Sequence, residues 1–264
     1  MAVTPAWAPG PVRPTLRAGD VHVWLGDLDV RDSERARVYL SPDESARADG
    51  FCFARDRHRY AAARGLLREM LALYLDLEPE AVRFAYGPRG KPALASATPD
   101  ALRFNVSHSG GLAILAFALG REVGVDIEVE RPLADAETIA ARFFSRREAS
   151  ELMRLPEPER QAAFFRCWTR KEAFIKATGD GLSRPLDAFD VEFRAGEPAR
   201  LLRVEGDLEA AQRFYLLGLE PAPGFAAALA VERRPRRVER WTWDGTQARD
   251  GARRETRRRL TRLS

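Results

Sequence analysis

Slid along itself by 104 residues, the chain sets Val21-His22-Val23-Trp24 over Val125-Asp126-Ile127-Glu128. The same shift, with no gap, sets "YLSPDE" (Tyr39 to Glu44) over "FFSRRE" (Phe143 to Glu148) and residues 56–75 over residues 160–179. Strand pattern falls on strand pattern and helix pattern on helix pattern. One offset that aligns three elements predicts an α+β fold of two similar lobes related by a pseudo-twofold. At 264 residues, 45% of them hydrophobic, the chain is long enough to give each lobe a core. The expected organisation is a flexible lead-in over 1–18, an N-terminal lobe over 19–121, a C-terminal lobe over 122–232 and an Arg-rich tail over 233–264. The polar residues are not repeated, because Asp126 and Glu128 stand where the first copy has His22 and Trp24. Any metal site should therefore belong to the second lobe and face the first across a cleft.

Between these anchors, helical patterns run from Arg55 to Leu75 and from Pro158 to Thr178, the second stopped by Gly179. Short strands are expected around Val82–Tyr86 and Leu102–Val106. "LAILAFAL" and "VGVDIEVE", joined by Gly120-Arg121-Glu122, read as a β-hairpin. The longest apolar run, Leu112 to Leu119, is far short of the roughly 20 residues a membrane-crossing helix needs, and the first residues lack an apolar signal core. Two isolated cysteines, Cys52 and Cys167, suit a reducing compartment, and the expectation is a cytoplasmic protein with no membrane contact. Residues 233–264 hold twelve Arg against four acidic residues, so the body before them is net acidic although the whole chain is at +4. That argues against nucleic acid as partner and for a solvated, partly helical tail.

Of 43 basic residues only three are Lys, and two of these sit in "WTRKEAFIK", Trp168 to Lys176. On a helical wheel Phe164, Trp168 and Ile175 form an apolar stripe that includes Lys171, while Glu172 and Lys176 lie one turn apart on its flank. A lysine is a compact charge that can meet a phosphate oxygen and give up a proton, which Arg does not do. For Lys171, a reach toward phosphate and a stem inside the apolar face stay open. In "GVDIEVE", Asp126, Glu128 and Glu130 share one strand face. An amphipathic edge strand with a wet acidic face accounts for this pattern as well as a cation site does, but three like charges repel and a cation would relieve them. Adding Glu172 and an ammonium a turn away fits a hard cation with a phosphorylated ligand, Mg²⁺ before Ca²⁺, and the scarcity of His argues against zinc. The third lysine, Lys91, lies in the Gly- and Pro-bounded turn "YGPRGKPAL", and "FNVSHSGG" offers Ser107, His108, Ser109 and two glycines as a tight phosphate-binding turn.

"GKPAL", "FNVSHSGG", "GVDIEVERP", "RFFSRRE" and "WTRKEAFIKATGDGLSRPLDAF" resemble, in order and spacing, the 4′-phosphopantetheinyl transferases, specifically the larger, monomeric Sfp type. The resemblance runs from about Val21 to the 190s and is most specific between Lys91 and Asp190. It implies transfer of 4′-phosphopantetheine from coenzyme A to a serine of an apo acyl or peptidyl carrier protein, Mg²⁺-dependent, with release of 3′,5′-ADP. The coenzyme A site implied is the interlobe cleft. Asp126, Glu128 and Glu172 match the family's Mg²⁺ ligands. Lys176 matches the lysine that contacts the phosphates and serves the departing group. Ser107 and His108 match contacts to the nucleotide phosphates, with Lys91 and Arg59 in the adenosine pocket. Glu148 matches a proposed general base, and Arg55, Arg57, Arg59 and Arg64 all stand as candidates for the 3′-phosphate. Two other readings compete. A Mg²⁺-dependent nuclease would want Glu-x-Lys on the acidic strand, where this chain has Glu128 followed two residues on by Glu130. A nucleic-acid-binding module would rest on the tail and be lost with residues 233–264.

Overall fold

The computed structural model describes residues 7–87, 89–95, 98, 101–179 and 181–243, residue 182 without its side chain. The strands are β1 (Ala8–Pro9), β2 (Asp20–Asp27), β3 (Phe84–Tyr86), β4 (Pro92–Leu94), β5 (Leu102–Ser109), β6 (Leu112–Leu119), β7 (Val123–Val129), β8 (Phe189–Val191), β9 (Leu201–Val204), β10 (Phe214–Leu219), β11 (Phe225–Glu232) and β12 (Arg237–Trp243). The helices are α1 (Ser33–Arg37), α2 (Pro42–Asp49), α3 (Ala54–Leu75), α4 (Ala136–Phe143), α5 (Arg146–Arg154), α6 (Glu157–Thr178) and α7 (Ala210–Arg213). One sheet has the order β1-β12-β2-β6-β5, a second has β10-β11-β7, and β3-β4 and β8-β9 are two-stranded.

Alternation along the strands sorts side chains into three cores. Ala113, Leu115 and Phe117 of β6 join Trp24 of β2 and face Leu66, Leu67, Met70 and Leu71 of α3. The opposite faces, Val21, Val23 and Leu25 of β2 with Ile114 and Ala116 of β6, meet Val125 and Ile127 of β7 and Leu229 and Val231 of β11. This second core joins the two lobes. The third lies under α6, where Phe164, Phe174 and Ile175 pack on Ala226, Ala228 and Ala230 of β11 and on Phe189 and Val191. The offset of 104 is visible in the helices: α2, α3 and α1 are followed by α5, α6 and α4 at nearly that spacing. Ser41 and Ser145 each open a capping box, with Glu44 and Glu148 three residues on.

Three expectations change. β6 and β7 do not pair as a hairpin; they lie in different sheets. β6 is apolar on both faces and already hydrogen-bonded on both edges, to β2 and β5, so it has no edge left for β7. The tail does not begin at 233, because β12 pairs in parallel with β2 and brings Trp243, 2% exposed, into the first-lobe core. Trp243 stacks edge-on against Trp24 at 5.8 Å, and Trp241 lies 4.9 Å from the same ring. Two indoles outweigh the Arg content of "RVERWTW" once a strand can turn its charged positions outward. The lead-in is also tied down over part of its length: Ala8 and Pro9 pair with Trp241 and Thr242, and Trp7 Nε1 donates to the Glu220 carbonyl. Residues 244–264, the rest of the expected tail, lie outside the described residues.

Candidate active site

The site is assembled along the seam where β5 runs beside β7. Asn105, Ser107 and Ser109 alternate toward β7 and replace a backbone ladder with side-chain bonds. Asn105 Oδ1 accepts from Val125 N at 2.9 Å, Ser107 Oγ donates to Asp126 Oδ1 at 2.8 Å, and Ser109 Oγ donates to Glu128 Oε2 at 2.7 Å while accepting from Val129 N. The seam therefore fixes the carboxylates of β7 as well as its backbone. On the other side of β7, Gly124 lets α6 come down onto the strand. A Cβ there would stand 2.1 Å from the Ala173 carbonyl oxygen and 2.3 Å from Ala177 N. That approach carries Glu172 and Lys176 to Asp126 and Glu128. Lys176 Nζ donates to Asp126 Oδ1 at 2.6 Å and to Ser107 Oγ at 2.9 Å.

These groups line a cleft of about 540 Å³ between α3 and α6. Its acidic wall is Asp126, Glu128 and Glu172 beside Lys176; Arg47, Arg64, Tyr60 and Tyr86 form a cationic and aromatic wall, and Ser107 and His108 lie between. Arg64 is held by Glu44, donates to the Tyr86 hydroxyl at 2.6 Å and lies over the Phe84 ring. Burial pushes the Glu172 carboxyl above its ordinary pKa, and the charges of Asp126 and Glu128 add to the shift. Glu128 is raised in the same way, burial first. His108 is exposed to solvent, yet desolvation by the walls around it, then the charges of Lys176 and Arg59, lower its pKa and favour a neutral ring.

Asp126, Glu128, Glu172, Lys176, Ser107 and His108 thus come together in one cleft, and Glu148, Lys171, Arg59 and Lys91 lie outside its lining. Glu148 is 0% exposed and pairs with Lys171, also 0% exposed, at 2.7 Å. It accepts from Ser145 N and Val191 N and does not line the cleft, so it is not placed to take a proton from a substrate hydroxyl. The same contacts decide between the two roles of Lys171: its ammonium donates to the carbonyls of Leu186 and Phe189 and reaches no cleft. Arg59 makes a two-pronged bond to Asp29, both arms 2.7 Å, outside the cleft lining. Lys91 lines not the cleft but an adjoining cavity of about 280 Å³ that shares Glu172 and Lys176 with it. The "SHSGG" turn is narrower than expected, since Ser107, His108 and Ser109 still belong to β5 and only Gly110 has positive φ.

Sequence reasoning missed Arg47, Tyr60, Tyr86 and Trp168 as cleft residues. Of the four Arg weighed, Arg64 alone lines the cleft. A signal existed for it: Tyr60 and Arg64 are one turn apart on α3, about a third of the way round the helix from Leu66 and Met70.

No three His, Cys, Asp or Glu side chains among the described residues converge closely enough to make a ready-formed metal cage. The residues present nevertheless fit a hard divalent cation. Asp126 Oδ2 is buried with no hydrogen-bond partner, and the two neighbouring carboxylates repel it. An incomplete set of protein oxygens is what Mg²⁺ uses, since it keeps water and substrate phosphate in its shell.

Comparison with known proteins places the chain in a family. Residues 122–230 match the family model described as the 4′-phosphopantetheinyl transferase superfamily, and residues 30–119 match one described as 4′-phosphopantetheinyl transferase, N-terminal. The chain is 42% identical over 228 residues, 85% of its length and 93% of the relative's, to the 4′-phosphopantetheinyl transferase HetI of Nostoc sp.. It is 37% identical over 164 residues, 62% of its length and 71% of the relative's, to the 4′-phosphopantetheinyl transferase Sfp of Bacillus subtilis. Among solved structures, the holo-[acyl-carrier-protein] synthase of Thermotoga maritima aligns at 23% identity and a TM-score of 0.34 over 43% of this chain and 63% of that one. The chain belongs to the 4′-phosphopantetheinyl transferase superfamily.

Proposed function

We propose that the protein transfers the 4′-phosphopantetheine group of coenzyme A to a serine hydroxyl of an apo acyl or peptidyl carrier protein and releases 3′,5′-ADP. The observation that carries this reading is the division of one cleft into a cationic wall and an acidic wall, with a buried, unpartnered Asp126 oxygen and the Lys176 ammonium between them. Such a site suits a ligand with a phosphorylated nucleoside at one end and a pyrophosphate at the other. Arg47 and Arg64 receive the nucleotide end, and Tyr60 and Tyr86 offer aromatic faces to the base.

Asp126, Glu128 and Glu172 would hold Mg²⁺, and the ion when bound would supply charge neutralisation and polarisation of a phosphate oxygen. Lys176 meets the departing 3′,5′-ADP with a compact positive charge and a transferable proton. Ser107 keeps Asp126 and Lys176 in register. His108 favours a neutral ring and so presents a hydrogen-bonding nitrogen to phosphate or an acceptor for a proton. The protein's own contribution is positioning and charge, as in other phosphoryl transfers. Among the described residues no helix is long and apolar enough to cross a membrane. A cytoplasmic monomer is the form in which we expect the enzyme to act.

Intact mass spectrometry of apo carrier proteins, incubated with the enzyme and coenzyme A with Mg²⁺ or with chelator, tests the reaction. A Mg²⁺-dependent gain of one phosphopantetheine is expected. Absence of coenzyme A binding by the wild-type chain would remove the reading.

A further inference from the structure

The turn between β3 and β4 presents Gly90 and Pro92 to the cleft, but the lysine between them does not line it. Lys91 Nζ donates to Glu122 Oε2 at 3.0 Å and to the carbonyl of Ala177 at 3.1 Å. Ala177 is in the last turn of α6, where carbonyls lack an intrahelical partner and the helix end carries partial negative charge. Gly179, the left-handed residue that ends the helix, lies beside the lysine stem; a Cβ there would stand in ordinary contact, 3.6 Å from Lys91 Cδ. Glu122 lies in the connection from β6 to β7, between the two sheets, and also faces Arg103 of β5 at 3.8 Å. One ammonium therefore ties three things together: the first-lobe turn that walls the cleft, the link between the lobes, and the helix turn that holds Lys176.

We propose that Lys91 is a positioning residue, setting the Gly90–Pro92 wall against the C-terminal turn of α6 through Glu122 and the Ala177 carbonyl, rather than a direct contact to a nucleotide phosphate. This rests on the coenzyme A reading above. A compact ammonium suits the task because it reaches a carboxylate and a single carbonyl at once, where a planar guanidinium prefers paired oxygens. Loosening the clamp widens the cleft for every ligand that uses both walls. It does so whether or not the ligand carries a 3′-phosphate.

The test is the binding of coenzyme A and of 3′-dephospho-coenzyme A to the wild type, Lys91→Met, Glu122→Gln and the double variant, by calorimetry on the full chain, with folding checked by thermal melting. Lys91→Met should weaken both ligands by the same factor, about tenfold given the usual worth of a charged hydrogen bond. Glu122→Gln should weaken both by a smaller common factor, and the double variant should lose no more than Lys91→Met alone. Should Lys91→Met not fold, the equal loss of both ligands in Glu122→Gln carries the test. A Lys91→Met loss confined to coenzyme A, with dephospho-coenzyme A unchanged, would mean a direct phosphate contact and overturn the proposal, as would unchanged affinity for both. A wild type that binds neither ligand overturns the transferase reading itself and takes this proposal with it, so the two failures are told apart.

Discussion

The two lobes use the same device and differ by one residue in where they spend it. In each, the glutamate of a capping box turns back into the lobe and pairs with a cation on the long helix. Glu44 of the first lobe takes Arg64 and Arg68 of α3, the latter at 2.7 Å. Glu148 of the second takes Lys171 of α6. At the offset of 104, Arg68 corresponds to Glu172, and Lys171 corresponds to Leu67. Moving the buried cation one position back along α6 turns it into the apolar core and frees the next position for a carboxylate that faces the cleft. The strands complete the contrast. Trp24, buried against α3, stands where β7 has Glu128, and His22 stands where it has Asp126. In the first lobe the polar groups between strand and helix are neutral and satisfied by Tyr74, which bonds both His22 and Trp24, whereas in the second they are carboxylates that line the cleft, so the duplicated fold places its acidic cluster in one lobe.

Breaking the polar side should have the largest effect. Asp126→Ala and Glu172→Ala are each expected to lower turnover about a hundred- to a thousandfold, the range for losing one preorganised charge-stabilising group, with both variants still folded. Mass-spectrometric counting of modified carrier checks this; full activity in either variant would remove the assignment. Next is the second lobe's buried pair. Glu148→Ala leaves Lys171 uncompensated in the core and should cost about 3–5 kcal/mol in denaturant unfolding. Replacing the pair together, Glu148→Gln with Lys171→Met, should recover most of that stability and retain turnover. Loss of turnover in the well-folded double variant would restore a catalytic role to Glu148.

In the first lobe, Trp243→Ala should cost about 3–5 kcal/mol, the usual range for truncating a buried aromatic ring. Removal of residues 237–243 should abolish folding of that lobe. The smallest effect sharpens the contrast at His22. Its ring is bonded to the Tyr74 hydroxyl at 2.7 Å, and burial, opposed by Glu239 and Asp20, lowers its pKa from 6.5 to about 4. The folded state therefore binds fewer protons than the unfolded chain between those values. Stability from this group is present above pH 6.5 and lost as the pH falls toward 4. By linkage, acidification from pH 7 to pH 4.5 should cost about 2 kcal/mol through His22. Unfolding midpoints of wild type and His22→Gln across that range measure it, and parallel profiles would refute it.

Periodicity and spacing determined a good deal without coordinates. The 104-residue offset matched the two long helices to each other, because the apolar period of a helix is a local pattern. Asp126, Glu128, Glu172 and Lys176 were legible as a candidate site because strand alternation and helix spacing put them on definite faces. Tertiary structure decided the rest, for reasons that are not local. Whether Glu148 faces a cleft or a core depends on which helix covers it. Whether β7 pairs with β6 depends on which edges are already taken. Whether "RVERWTW" ends the chain as a tail or closes a sheet depends on β2 offering a free edge and on α3 offering a place for Trp243. Lys91 shows the limit most plainly: its type and its neighbours suggested a phosphate, and only the arrival of the α6 C-terminus, 86 residues along the chain, gave its charge a carbonyl to meet.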